Sequence, residues 1–142
     1  MEIVQIGPLA ILAAAITGLA FSIVYYAVLS KTRLAAARLG HDERRGLGPV
    51  RPYLVAGVAQ LTMAAVLAWF LAHAVGGPAE PQALDWFVGL RIGFLAWLGF
   101  AITSLAVNHA FGGSRRTLTA IDGLHWLGVL LIQGLVLALI GA

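Results

Sequence analysis

The sequence predicts an all-α integral membrane protein, a bundle of four transmembrane helices. Of its 142 residues, 61% are hydrophobic and only 11% are charged, with a mean hydropathy of +0.92. A soluble domain is about half apolar and about a quarter charged. Four apolar runs are each long enough to cross a hydrocarbon core, which takes about 20 helical residues. Because backbone groups in lipid must satisfy their own hydrogen bonds, we expect these runs to be helices.

The four helices are expected within a single transmembrane domain, residues 1–142, at about 8–29, 52–75, 86–111 and 118–140. The first run follows Met1 and Glu2 with no basic residue before it, and it is longer than the core of a cleavable signal peptide. We therefore interpret it as a helix. Pro8 and Pro52 stand at helix starts, where the missing N–H of proline costs nothing.

The basic residues predict the orientation of the bundle. Eight of the nine Lys and Arg residues fall in the segments 31–51 and 112–117, whereas the loop 76–85 carries only the acidic residues Glu80 and Asp85. The positive-inside rule places both basic segments in the cytoplasm. The N-terminus and the C-terminus are then both outside, and the location is expected to be a cytoplasmic-type (inner) membrane.

The expected partner of this chain is the lipid bilayer. The segment 31–51 is either an interfacial helix that contacts anionic lipid headgroups or an extension of the first helix with its arginines in water, and we favour the extension. Because the basic residues stand beside apolar runs, we expect no nucleic acid partner. The absence of cysteine excludes thiol catalysis and Cys-ligated metals.

Small residues predict where the helices pack, because transmembrane helices associate where backbones approach closely. They occur on the first helix as an i+4 stripe and on the third helix as a G-x-x-x-G with one further glycine: Ala10, Ala14, Gly18 and Ser22, then Gly89, Gly93 and Gly99. Such stripes suit a tight bundle, and a homodimer face is the alternative.

A polar cluster within the spans provides the candidate site, since ionisable residues in a membrane are costly and mark function by default. Asp122 and His125 are three residues apart and share a face of the fourth helix. Asn108 lies at a similar depth on the third helix, so we expect it to reach one of them. Further candidates at comparable depth are Gln60, Tyr25 and Tyr26.

Three interpretations of this cluster remain open. It is a structural hydrogen-bond network, a site for a small ligand, ion or proton that uses Asp122 and His125, or a metal centre. One His and one Asp make a thin ligand set, so we expect no metal and no cofactor. Arg91 lies about 7–8 Å below the outer interface. It is either an outward-facing anion site or an anchor that snorkels to the interface, and we favour the anchor.

The second half of the chain resembles a bacterial family of small membrane proteins, domain of unknown function 1761. The resembling residues are Gly89, Trp97-Leu98-Gly99-Phe100, Thr103, Asn108, Phe111, Ile121-Asp122, His125 and Gly134. The first helix is similar more loosely, with Ser22-Ile23-Val24-Tyr25-Tyr26 where the family usually has Gly-x-x-Trp-Tyr. The resemblance implies four membrane helices and no established activity or catalytic residues.

The sequence favours a non-catalytic accessory or interaction module of the membrane over an enzyme. The alternative is an oligomeric transporter or channel subunit, whose polar site near the cytoplasmic side consists of Asn108, Asp122 and His125.

Overall fold

The computed structural model of the protein describes residues 6–37, 50–75 and 84–141. They form four long helices, which are α1 (Pro8–Ala37), α2 (Arg51–Val75), α3 (Trp86–Phe111) and α4 (Arg116–Ile140). Each is long and apolar enough to span a membrane. The predicted class, a bundle of four transmembrane helices, is confirmed, and the orientation of the termini stays a prediction.

The helix bounds differ from the predicted ones chiefly at the end of α1. This helix continues two turns past residue 29 to Ala37. Its last turns contain alanines, which are strong helix formers, and Ala36 is buried against the bundle. The helical extension is therefore observed, but Arg33 within it is only partly exposed, because its guanidinium pairs with Asp122. Residues 38–49 lie outside the described part of the chain, so lipid contact there stays a prediction.

The helices alternate in direction, and α4 contacts each of the other three. Its buried positions recur every three or four residues, at Leu118, Asp122, His125, Val129 and Gln133, which is the spacing of one helix face. The start of α4 lies beside the end of α1 and the start of α2. We call this the arginine-rich end of the bundle, because the described arginines other than Arg91 are there.

The interior at the opposite end is apolar and tightly packed. Leu67, Leu71 and Leu137 are almost fully buried there, together with the small side chains of Ala10 and Ala14. Since lipid is as apolar as leucine, helices in a membrane gain little from burial itself and associate through close packing. Ala10 and Ala14 therefore stabilise the bundle by their small size.

Helices α3 and α4 touch backbone to backbone at glycines. A methyl group on Gly89 would collide with the carbonyl oxygen of Gly134, and one on Gly93 would collide with that of Leu130. Gly18 on α1 is crowded by side chains instead, those of Gln60 on α2 and Gln133 on α4. These small residues are thus used for contacts within the chain.

Gly99 departs from the predicted packing role. It is exposed, and no atom lies within 4 Å of the position that its Cβ would take. Six residues separate it from Gly93, which is about 1.7 helical turns. Gly99 therefore lies on another side of α3, away from the contact with α4.

A π-helical turn interrupts α3 at Trp97–Ala101, where the N–H of Ile102 bonds the carbonyl of Trp97. The indole Nε1 of Trp97 donates to the carbonyl of Gly123 on α4 at 2.8 Å. A π turn takes up one more residue than an α-helical turn. Every residue after it is therefore rotated back by about one position relative to an uninterrupted α-helix.

We predict that Gly89→Ala destabilises the bundle, whereas Gly99→Ala does not. The methyl group at 89 must push α3 away from α4, and overpacking of this kind costs about 1–3 kcal/mol. The methyl group at 99 meets open space. The measurement is thermal unfolding of both variants in the same detergent micelle. Equal melting temperatures for the two would contradict the backbone contact.

Candidate functional site

The site is built around the buried carboxylate of Asp122, whose side chain is only 8% exposed. Its Oδ1 accepts hydrogen bonds from Arg33 Nε at 2.9 Å and from the Tyr26 hydroxyl at 3.0 Å. Burying an unpaired carboxylate costs several kcal/mol. The guanidinium offsets that cost, so the pair fixes the end of α1 against the start of α4.

The regular turn of α1 brings the partners of Asp122 to one face. Ser22, Tyr26 and Arg33 are separated by four and seven residues, which places them in line along the helix. The guanidinium carbon of Arg33 lies 4.9 Å from the centroid of the Tyr26 ring, a cation–π contact. The Tyr26 ring also packs against the His125 ring, with the two ring centroids 4.4 Å apart. Arg33, Tyr26 and His125 therefore form one continuous stack.

The hydroxyl of Ser22 joins three helices. It donates to the carbonyl of Gly18 on α1 at 2.8 Å, and it lies 3.2 Å from Gln60 Nε2 on α2 and 2.9 Å from His125 Nε2 on α4. A hydroxyl has one proton and two lone pairs. Since its proton is used, it accepts from both nitrogens, and His125 is assigned as the neutral Nε2–H tautomer.

Gln60 and Gln133 extend this network toward the centre of the bundle. Gln133 Nε2 donates to Gln60 Oε1 at 2.7 Å and to the Gln60 carbonyl at 3.1 Å. Both side chains are buried, at 3% and 0% exposure. Within the described residues, His125 Nδ1 and Gln133 Oε1 are buried without a hydrogen-bond partner. Neither atom needs to donate, so the network is consistent with neutral groups throughout.

The structure leaves one predicted member, Asn108, outside the cluster. Asn108 is exposed, and in the described part of the chain its side chain has no bond to Asp122 or His125. The adjacent His109 faces α4 instead, with Nδ1 3.0 Å from Thr119 Oγ1 and Nε2 4.0 Å from Asp122 Oδ2. The π turn explains the exchange, because its extra residue moves the α4-facing position from 108 to 109.

Of the other predicted residues, Tyr25 lies beside the site and Arg91 lies away from it. Tyr25 donates to the carbonyl of Ile121 at 2.9 Å, next to Asp122. Arg91 is exposed near the start of α3, at the end of the bundle opposite the arginine-rich end. Its roles as an anion site or an anchor stay predictions. Arg33 was not among the predicted site residues, because the arginines of the helical extension were expected to lie in water. Its spacing from Tyr26 was the available signal.

A cleft of about 1000 Å³ opens on the side of the bundle between α1 and α2, at the arginine-rich end. Its walls are apolar side chains of the two helices, such as Leu19, Ile23 and Val55. Arg33 and Arg51 also line it, and its inner wall includes Ser22, Gln60 and His125 together with Trp126. The polar network thus forms the back of a groove on the side of the bundle.

The described His, Asp and Glu side chains do not form a metal centre. Within ranges 6–37, 50–75 and 84–141, no three His, Cys, Asp or Glu side chains come together. Asp122 has His109 at 4.0 Å and an arginine at 2.9 Å, which is the neighbourhood of a paired carboxylate.

We predict that Arg33→Gln destabilises the protein and that adding Asp122→Asn recovers part of the loss. The single change leaves a buried charge without its cation, and the pair is partly exposed on the arginine side, so we expect a loss of about 1–3 kcal/mol, below the value for full burial. The double variant has no charge left to bury. Thermal unfolding of both variants and of Arg116→Gln, an exposed control, measures the loss and its partial recovery. A double variant less stable than Arg33→Gln would contradict the pairing.

We predict that Ser22→Ala lowers the stability by about 1 kcal/mol, since two bonds between helices are lost and such bonds average about 0.6 kcal/mol each in membranes. Ser30→Ala serves as the control, because the Ser30 hydroxyl bonds only the carbonyl of Ala27 in its own helix. The measurement is the free energy of unfolding of both variants in mixed micelles. If the two variants lose equal stability, Ser22 does not join the helices.

Comparison with known proteins places this fold in a family without an assigned role. No curated protein and no solved structure matches the chain. A family model described as "Protein of unknown function (DUF1761)" matches residues 9–138, nearly the whole chain, and it includes every residue of the site. The chain therefore belongs to the DUF1761 family of proteins of unknown function.

Proposed function

We propose that this protein is a non-catalytic accessory or interaction module of a bacterial cytoplasmic membrane, and that it binds a membrane molecule in the cleft between α1 and α2. One observation carries the proposal. Apart from His125 Nδ1 and Gln133 Oε1, the interior polar groups of the described residues are bonded to one another, while a cleft of about 1000 Å³ lies at the side of the bundle, between two helices with exposed apolar side chains. A molecule that diffuses within the bilayer can enter such a cleft without crossing water.

The commitment of the polar groups to each other favours binding over catalysis. A general acid or base has to come within hydrogen-bond reach of the reacting group. Asp122 Oδ1 is already engaged by Arg33 and Tyr26, and the Ser22 hydroxyl uses its proton and both lone pairs. These groups act as the scaffold of the cleft wall.

The apolar half of the bundle argues against a transport path through one copy of the chain. Among the described residues, the interior polar network ends at Gln133. Beyond it the interior consists of Leu67, Leu71 and Leu137, which are at most 1% exposed. A transporter or channel subunit would need additional copies to build a polar path.

We predict that Ala56→Trp empties the cleft of membrane molecules, whereas Val58→Trp does not. Ala56 lines the cleft, so an indole there occupies its space. Val58 is 68% exposed on the same helix and is not one of the residues that line it. The measurement is native mass spectrometry of the full-length protein released from membranes, with the retained lipid molecules counted for each variant.

The outcome separates the candidate functions. Fewer retained molecules in Ala56→Trp alone supports binding in the cleft, and equal retention in wild type and both variants rules it out.

A flux assay tests the transport alternative. The same purified protein is reconstituted in liposomes with a pH-sensitive dye and with a K⁺ gradient. We expect proton and K⁺ flux equal to that of protein-free vesicles, and flux above that background would favour the transport alternative.

A further inference from the structure

We propose that the occupant of the cleft is an anionic phospholipid, with its phosphate held between Arg33 and Arg51 and an acyl chain along the α1–α2 wall. The inference rests on the proposed function, binding of a membrane molecule in this cleft, and adds the chemical class of that molecule.

The charge of the cleft selects an anion. The charged side chains that line it are Arg33 and Arg51, and no acidic side chain of the described residues lines it. Asp122 pairs with Arg33 from outside the lining, so Arg51 supplies the positive charge that this pair does not neutralise. Arg33 bonds Asp122 through Nε, so the guanidinium has further N–H groups on its two η nitrogens. Arg51 has no acidic partner in the described ranges. Arginine is suited to phosphate because its planar fork of donors matches the phosphate oxygens.

The position of the two arginines matches that of a headgroup. Arg51 is the first residue of α2, and Arg33 lies one turn before the end of α1. Tyr53 also lines the cleft near this level, and tyrosine is common where a span meets the interface. A phosphate between the arginines would therefore lie at the depth that phospholipid phosphates already occupy.

The length of the cleft matches an acyl chain. From Arg33 to Leu19, both of which line the cleft, α1 rises by about 21 Å. One leaflet provides about 15 Å of hydrocarbon. The two side walls between them carry small and aliphatic side chains, including Ile23, Ala27 and Ala59, while polar side chains such as Ser22 and Gln60 form the back. A chain that starts at the arginines thus lies between apolar walls as it passes through the leaflet.

A lipid accounts for the cleft better than a free phosphate ion does. The volume of about 1000 Å³ is at the upper end of the range of about 300–1,000 Å³ for small-molecule sites. A phosphate ion would use the two arginines and leave the apolar walls without contact. An anionic phospholipid uses both parts of the cleft and enters from the side, where α1 and α2 face lipid.

The test titrates the full-length protein in detergent with phosphatidylglycerol and with phosphatidylcholine of the same acyl chains, followed by native mass spectrometry. We expect tighter binding of phosphatidylglycerol. Arg51→Gln should weaken that binding about fivefold, which is the contribution of one basic residue near an anionic surface. Arg115→Gln is the matched control, because Arg115 is exposed at the same end but does not line the cleft.

Each outcome decides the proposal. Binding of phosphatidylglycerol that falls with Arg51→Gln and not with Arg115→Gln supports it. Equal binding of the two lipids, or equal losses in the two arginine variants, overturns it. Competition by glycerol phosphate at the same concentration as the lipid also overturns it, since a soluble anion would then be the ligand. If Ala56→Trp still expels lipid when headgroups do not matter, the proposed function survives and this inference fails.

Discussion

The pairing of one buried carboxylate with one arginine sets the geometry of the arginine-rich end. Asp122 lies at 6% exposure on the central helix, where an unpaired charge is costly. Its partner comes from the last turns of α1, so α1 has to stay helical past the level at which its apolar run ends. The aromatic stack on Tyr26 and His125, and the bond from Ser22 to α2, all follow from the rotation of α1 that this pair requires.

The same constraint determines where space remains. α1 is held to α4 through Asp122 and α2 is held through Gln60 and Gln133, and the cleft lies between the first two helices toward the arginine-rich end. The opposite end closes because alanine and glycine allow the backbones to approach. The bundle is thus tight at one end and open on its side at the other, which is a shape suited to holding a molecule of the bilayer.

The sequence was sufficient for the four spans because apolar length is a local property, and α3 begins and ends at the predicted residues, Trp86 and Phe111. It was also sufficient to bring Asp122, His125, Gln60 and the two tyrosines together, since residues at equal depth on packed helices are neighbours. The sequence could not show that His109 faces α4 in place of Asn108. A single π turn rotates the end of α3, and no residue type marks such a turn. Arg33 was missed since the positive-inside rule assigns every loop-side arginine the same meaning.

The distance in sequence between Asp122 and Arg33 also affects when the bundle can form during synthesis. The two residues are 89 positions apart, one in the first helix and one in the last. At the usual rates of synthesis, about 4–18 s pass between the two. During that interval α1 is present without the carboxylate that holds its end, and the tyrosine and serine of the same face lack their partners on α4. The bundle can therefore close only after the ribosome has made α4.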